Sequence, residues 1–381
     1  GYLEQRFGVG AYKTGAWFFF ISKLLGASVR LFLICVVLQL LLFEPYGLPF
    51  WLNALVTVLL VLLYTFQGGV KSLIWTDTLK TLCLILSIAL SIWFVVQRLD
   101  MSLADMVATV KGSENSRIFF FDDINDRRYF FKQFLAGLFS VIAMTGLDQD
   151  MMQRNLSCRT KRDSQINIVL TAVCQIAVIL MFLILGVLLY RYADIKQLPL
   201  PARSDDVFPM VAVQGGLPLI VGIMFVTGLI SSTYSAAGSA LTSLTTSFTL
   251  DIVGGSRSEK QLTRLRRWVH LFMAIVMTTV IILFARFGSD SVINLVFKVA
   301  GYTYGPILGL FTFGLITKRA VREQWVPIII VLSPVLSYVL QWAMAQYFNY
   351  YIGFELLGYN ALFCIFGLLL ISYKSCNNEK I

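Results

Sequence analysis

Charged residues are scarce in this chain. Only 14% of its 381 residues are charged and 57% are hydrophobic, whereas a soluble protein carries about 25% charged residues. The charges are also clustered, and the apolar runs between them have roughly the 20 residues that cross a bilayer core. A soluble globular fold is therefore excluded. Because backbone polar groups in lipid must be satisfied within each segment, we predict an all-α polytopic membrane protein.

Ten transmembrane helices are predicted, with no soluble domain between them. The chain 1–381 is accordingly interpreted as one transmembrane domain. The predicted spans are 14–43, 51–66, 73–97, 129–147, 165–190, 217–250, 267–287, 290–316, 325–346 and 356–373.

Histidine and cysteine are also rare. His270 is the only histidine, and the six cysteines show no metal-ligand spacing, so free thiols are predicted rather than a metal site or disulfides. No nucleophile–base set indicates an enzyme. Neither a GxxxxGK[ST] loop nor a Rossmann glycine pattern is present. We therefore expect no enzymatic activity and no cofactor.

The net charge of +10 is distributed as in a membrane protein. With the N-terminus inside, the basic groups within 154–162 and 257–267 face the cytoplasm, and the short outer loops 44–50 and 347–355 have no basic residue. This is the positive-inside pattern. It predicts a cytoplasmic-membrane protein with both ends of this chain in the cytoplasm. The basic loop 153–165 is expected to contact anionic lipid rather than nucleic acid.

Hydroxyl side chains concentrate in the sequence ISSTYSAAGSALTSLTTSFTLD, residues 230–251. Ser231, Ser232 and Ser235 stand at i, i+1 and i+4, so their oxygens share one side of a helix. Two interpretations remain open. Small and hydroxyl residues permit close packing of membrane helices. Alternatively, the hydroxyls and freed backbone carbonyls replace the hydration shell of a cation.

An isolated carboxylate stands in the stretch QGGVKSLIWTDTLK, residues 67–80. Asp77 lies about one turn into an apolar helix, where an unpaired charge is costly. Lys80, at i+3 on the same face, is one candidate partner. A cation shared with hydroxyls of a neighbouring helix is the other.

Five stretches in order resemble the sodium:solute symporter family. They are YLEQRFG (2–8), QGGVKSLIWTD (67–77), LDQDMMQRNLSCRTK (147–161), SSTYS…TLDI (231–252) and YGPILGLFTFGLITKR (304–319). The resemblance implies the leucine-transporter-like fold of two inverted repeats. It places this chain at about core helices three to ten plus two C-terminal peripheral helices, without the first core helices.

The resemblance also implies ion ligands. Its principal sodium site corresponds to the hydroxyls of Ser231 and Ser232 with the carbonyl of Gly228. A possible second sodium corresponds to Asp77 with Ser231 and Ser235. Two departures bear on that second ion: Ala236 lacks a hydroxyl, and Lys80 stands where the family often has Gln. Sodium is the only metal expected.

Solute contacts follow from the same resemblance. Counting from its motifs places solute-facing positions at Met144, Thr145, Gln175 and Lys298. Arg30 lies on the helix where family members that carry acidic sugars have an arginine. Two alternatives are open for Lys298: an ion pair with an acid on another helix, or snorkelling of its ammonium toward a membrane interface. Because Lys298 and Arg30 have no obvious acid nearby in sequence, an anionic solute is predicted.

The predicted function is sodium-coupled secondary active symport of a small anionic organic solute across the cytoplasmic membrane. Its expected partners are the solute, Na⁺ and membrane lipid. The alternative is a transporter-like solute sensor, or a sodium-independent carrier of the same fold.

Overall fold

Helices make up nearly all of the described chain. The computed structural model describes residues 2–67, 70–147, 158–201, 204–214, 216–253, 259–287 and 292–373. Its α-helices are α1 (Tyr2–Phe7), α2 (Val9–Leu38), α3 (Phe50–Gln67), α4 (Val70–Arg98), α5 (Leu103–Gly112), α6 (Phe130–Val141), α7 (Lys161–Ile195), α8 (Val207–Gln214), α9 (Leu219–Ser247), α10 (Glu259–Phe287), α11 (Val292–Ile316), α12 (Val326–Phe348) and α13 (Leu356–Leu370). Two short strands, β1 (Ala320–Val321) and β2 (Ser372–Tyr373), pair antiparallel.

The predicted membrane spans agree with these helices. Seven helices in the described residues are long and apolar enough to cross a membrane, and the shorter apolar helices are α3, α6 and α13. Each of the ten predicted spans coincides with one helix, within a few residues at most ends. Turns of π-helix extend α2, α6 and α9 at their C-terminal ends: Gln39–Phe43, Ile142–Gly146 and Phe248–Val253. An all-α multi-pass membrane protein is therefore confirmed.

Two long segments between the predicted spans, 98–128 and 192–216, contain helices that were not predicted. α5 begins with a capping box, in which the Ser102 hydroxyl accepts from the Asp105 N–H and the Asp105 carboxylate accepts from the Ser102 N–H. These bonds satisfy the first free N–H groups of the helix. α8 packs its buried Val207 and Val211 against Leu188 of α7. Local capping and an apolar face outweigh the polar character of these loops.

α2 lies at the centre of the molecule. A hydrophobic cluster joins it to α3, α9 and α10 through fully buried residues such as Leu31, Leu241 and Met277. On its other side α2 packs against α11. A central helix that packs against α3, α9, α10, α11 and α12 has few positions left for lipid, which explains why α2 is more buried than α7.

α11 and α13 approach very closely. Pro306 has no N–H, so the carbonyl of Tyr302 loses its helical donor. The Asn360 amide of α13 replaces that donor, bonding the carbonyls of Gly301 and Tyr302 at 3.0 Å each. A Cβ at Gly305 would lie 2.5 Å from the Asn360 side chain. Glycine is therefore required where the two helices meet.

The YLEQRFG stretch attaches the start of α2 to the C-terminal end of α11. Arg6 donates to the carbonyls of Thr317 and Arg319 at 2.7 and 2.8 Å. The Glu323 carboxylate accepts from the Gly10 N–H at 2.5 Å, within the first turn of α2. An anionic carboxylate at a helix N-terminus is favourable because free N–H groups point toward it. In the described part of the chain, the YLEQRFG motif therefore holds the start of α2 against the end of α11.

Candidate solute and sodium sites

A small open cavity lies between α2, α9, α11 and the C-terminal extension of α6. α2 supplies Ser22, Lys23 and Arg30, while Met144 and Tyr304 face them from α6 and α11. None of the described residues that line the cavity is acidic. The polar part of the wall is therefore cationic and hydroxyl-bearing.

Two cations stand on one face of α2. Lys23 and Arg30 are seven residues apart, which is two helical turns and about 10 Å along the axis. Lys23 is half-buried, with its Nζ 5.7 Å from the centroid of the Phe19 ring, and Arg30 is exposed to the cavity. Cationic donors partly shielded from water bind anionic oxygens more strongly than they do at a surface. The cavity is therefore suited to an anion.

Ser22, Lys23 and Tyr304 line the cavity but were not predicted. The Ser22 hydroxyl already donates to the Phe18 carbonyl at 2.7 Å, so it offers the cavity only its oxygen lone pairs. Lys23 could have been found from the sequence, because seven residues before Arg30 is the same helix face. No comparable signal marks Tyr304, which reaches the cavity through the packing of α11 on α2.

The predicted solute residues are only partly brought together. Arg30 and Met144 line the cavity, and Thr145 is the exposed neighbour of Met144. Lys298 is exposed on α11, next to the lining residue Val299, and its side chain interacts with another residue of the chain. Gln175 is exposed on α7, a helix that packs mainly against α4 and α8 and does not line the cavity.

The predicted sodium ligands lie on α9 and α4. Gly228 is buried in α9, and a Cβ there would lie 3.0 Å from Leu84 of α4, so the two helices are in close contact. Ser231 is half-buried one turn further along α9. The side chains of Ser232, Ser235, Asp77 and Lys80 lie outside the described part of the structure.

The backbones of α4 and α9 place Asp77 and Ser235 at the same position along the axes of these two helices. The helices run antiparallel, because Leu84 meets Gly228 while Ile88 and Phe225 share a second cavity wall. Asp77 is seven residues before Leu84, and Ser235 is seven residues after Gly228. Seven residues rise about 10 Å in either helix. Both positions are therefore displaced equally, and in the same direction, from the Leu84–Gly228 contact.

Sequence comparison assigns the family. A model of the Sodium:solute symporter family matches residues 2–324, most of the chain. The chain belongs to the sodium:solute symporter family. The predicted resemblance is thereby confirmed, and it covers the helices that form the cavity.

Several relatives of known activity are similar over most of this chain. The human sodium/iodide cotransporter is 24% identical over an aligned length of 326 residues. This alignment covers 82% of this chain and 49% of that protein. The rabbit (Oryctolagus cuniculus) sodium-dependent multivitamin transporter is 26% identical over 82% of this chain and 50% of its own length. The human sodium-coupled monocarboxylate transporter 1 is 23% identical, over 84% and 52%. These relatives are transporters, not enzymes. The chain spans about half of their length.

A solved structure supports the predicted fold. A Na⁺-coupled sialic acid symporter, in its substrate-bound outward-open state, superposes on 98% of this chain and 78% of its own with a TM-score of 0.77. The sequences are 18% identical, so the likeness concerns the fold. The leucine-transporter-like architecture is therefore confirmed for this member of the family.

Proposed function

We propose that this chain carries out sodium-coupled secondary active symport of a small anionic organic solute across the cytoplasmic membrane. The observation that supports this most directly is the cavity beside α2. Its described wall holds Lys23 and Arg30 without an acid, and Ala240 of α9 contributes to it. Ala240 is nine residues from Ser231 in the same helix, about 14 Å along the axis. The solute site and the ion site therefore share α9.

The anionic class of solute is supported by charge. An anion that enters the cavity is stabilised by two cationic side chains, whereas a neutral solute leaves them without that interaction. Iodide and monocarboxylate, which name two of the relatives, are anions. We propose that Arg30 contacts the anionic group and that Met144 packs against the solute. Thr145 and Lys298, which neighbour the lining residues Met144 and Val299, are proposed as further solute contacts, whereas the position of Gln175 on α7 does not support such a contact.

For sodium, we propose the hydroxyls of Ser231 and Ser232 with the carbonyl of Gly228. Sodium is a small, hard cation, and hard cations in proteins bind to several oxygen atoms. The close contact of Gly228 with α4 leaves no room there for a larger residue. Ser231 and Ser232 stand on the turn of α9 that follows this contact.

Uptake into liposomes tests the sodium proposal. Removing one oxygen ligand in Ser231→Ala or Ser232→Ala should raise the half-saturating sodium concentration by roughly tenfold, since hydrogen-bond-like contacts to charged groups contribute about 1.5–3 kcal/mol. Thr242→Ala is the matched control on the same helix. Its hydroxyl is already engaged by the Gly238 carbonyl at 2.8 Å. Equal uptake in sodium-free buffer would refute sodium coupling.

The solute proposal has its own test. Small carboxylates and acidic sugars should compete with uptake, and neutral hexoses should not. The opposite order of competition would reject an anionic solute while leaving sodium coupling intact.

A second sodium at Asp77 and Ser235 is proposed from their common level on α4 and α9. Asp77→Asn should then lower the Hill coefficient for sodium toward one. If Asp77 instead only neutralises Lys80, adding Lys80→Gln to Asp77→Asn should restore the wild-type sodium dependence.

A further inference from the structure

His270 bridges three membrane helices. It lies on α10, is 9% exposed, and sits beside the hydrophobic cluster of α2, α3, α9 and α10. Its Nε2 is 2.9 Å from the Thr65 hydroxyl of α3, and its Nδ1 is 2.9 Å from the Thr245 hydroxyl of α9. A single imidazole thus connects α3, α9 and α10 through both ring nitrogens.

Both threonines also face backbone carbonyls. The Thr245 hydroxyl is 2.7 Å from the Leu241 carbonyl. The Thr65 hydroxyl is 3.0 Å from the Val61 carbonyl and 2.9 Å from that of Leu62. Each hydroxyl has one hydrogen but two lone pairs. A hydroxyl that donates to its carbonyl can only accept a hydrogen bond from the imidazole.

The number of available hydrogens limits the protonation state of the His270 ring. If both threonines donate to their carbonyls, both ring nitrogens must donate, which requires the charged imidazolium. A charge among apolar side chains is costly to bury. With a neutral ring, one nitrogen carries the hydrogen and the other accepts from a threonine whose hydroxyl has turned away from its carbonyl.

The distances from each threonine hydroxyl to its backbone carbonyls indicate which hydroxyl donates to the imidazole instead. The Thr245 contact with its carbonyl is the shorter one, at 2.7 Å, whereas the Thr65 hydrogen is divided between two longer contacts. Shorter, undivided hydrogen bonds are the stronger. We infer that His270 is a neutral positioning residue with its hydrogen on Nδ1, donating to Thr245 and accepting from Thr65, which ties α9 to α3 and α10.

Nitrogen NMR of the ring tests this directly. Because His270 is the only histidine, protein labelled with ¹⁵N-histidine and purified through a tag without histidine gives one pair of ring signals. Protonated and unprotonated ring nitrogens have well separated resonances. In lipid bilayers at neutral pH, the Nδ1-protonated form should predominate over the Nε2-protonated form, because the two forms differ only in which threonine gives up its bond to a backbone carbonyl.

Two nearly isosteric variants form a matched pair. In Thr65→Val the ring keeps its acceptor at Thr245, so the hydrogen should stay on Nδ1. In Thr245→Val that acceptor is gone, so the hydrogen should move to Nε2 and bond Thr65. An imidazolium, an Nε2-protonated ring in the wild type, or the same tautomer in both variants would overturn the inference.

The role in positioning α9 rests on the proposed function and is measured separately. His270→Phe leaves both threonines bonded to their own carbonyls, so this variant should fold. It should raise the half-saturating sodium concentration by roughly fivefold, the weight of one lost hydrogen bond. His270→Asn, with an amide N–H near the place of Nδ1–H, should restore most of this loss.

Unchanged sodium dependence in His270→Phe would reject the positioning role. Absent sodium-dependent uptake in the wild type would reject the proposed function instead, without altering the NMR result.

Discussion

Arg30 illustrates how one side chain determines the chemistry of the cavity. A guanidinium keeps its charge at any accessible pH and presents paired N–H donors that match a carboxylate. In the described wall, the other cation is Lys23, two turns away on α2. We therefore propose that Arg30 has the main part in selecting the anionic group, with Lys23 adding to the positive potential.

We expect Arg30→Gln to weaken competition by small carboxylates by about 10- to 100-fold, because a charge-assisted bond is lost. Sodium half-saturation should change little, since Arg30 and Ser231 are on different helices. Arg30→Lys should recover only part of the loss, because an ammonium cannot form the paired contact. Assays in liposomes measure both the competition by carboxylates and the half-saturating sodium concentration. Carboxylate competition as strong in Arg30→Gln as in the wild type would contradict this assignment.

Among the elements, α11 and α13 depend most clearly on a single close contact. The Pro306 interruption of α11 is stabilised by Asn360, and this bond requires the absence of a side chain at Gly305. Gly305→Ala should therefore destabilise the protein by about 1–3 kcal/mol through overpacking. Gly301→Ala is the matched control on the same helix face, since its Cβ would lie 3.5 Å from Leu356. Thermal unfolding compares the two; equal melting temperatures would contradict the close contact.

The stability of helix α5 should depend on pH through its capping box. Hydrogen bonds from the Ser102 hydroxyl, and then from its backbone N–H, lower the pKa of Asp105 below its usual value near 3.8. A depressed folded-state pKa contributes stability that is fully present above the unfolded-state pKa and is lost as pH falls through the folded-state pKa. Hydrogen-exchange protection of α5 should therefore decrease only in strong acid. In Ser102→Ala the protection at neutral pH should be lower and its loss in acid smaller, because most of the pKa shift of Asp105 is removed; a profile unchanged from the wild type would contradict the capping box.

At the scale of the whole molecule, the orientation in the membrane is predicted by basic residues. Cys158 is a free, half-buried thiol just before α7, on the side predicted to be cytoplasmic. A membrane-impermeant thiol reagent should therefore modify Cys158 in inside-out vesicles but not in right-side-out vesicles. The Cys158→Ser variant isolates its signal from other thiols, and Ser113→Cys in the outer segment should show the reverse pattern. Labelling of Cys158 from the outside would invert the topology.

Local sequence signals predicted the elements well but the site incompletely. Ten spans were located because hydropathy acts over each segment by itself. The helix α5 was missed because its capping box stands in a polar loop. In the cavity, Arg30 and Met144 were predicted, whereas Tyr304 was not. Its place depends on the packing of α11 against α2, which no short sequence pattern records.

The sequence by itself determined the environment of this protein, its helices and its family, because apolar length and motif order are properties of the chain alone. Only the tertiary structure decided which residues share a space. It joined Lys23 and Arg30 in one cavity, brought Asp77 and Ser235 to one level, and placed His270 between two threonines. These arrangements depend on the register and close contact of helices far apart in sequence, which are fixed by packing in three dimensions.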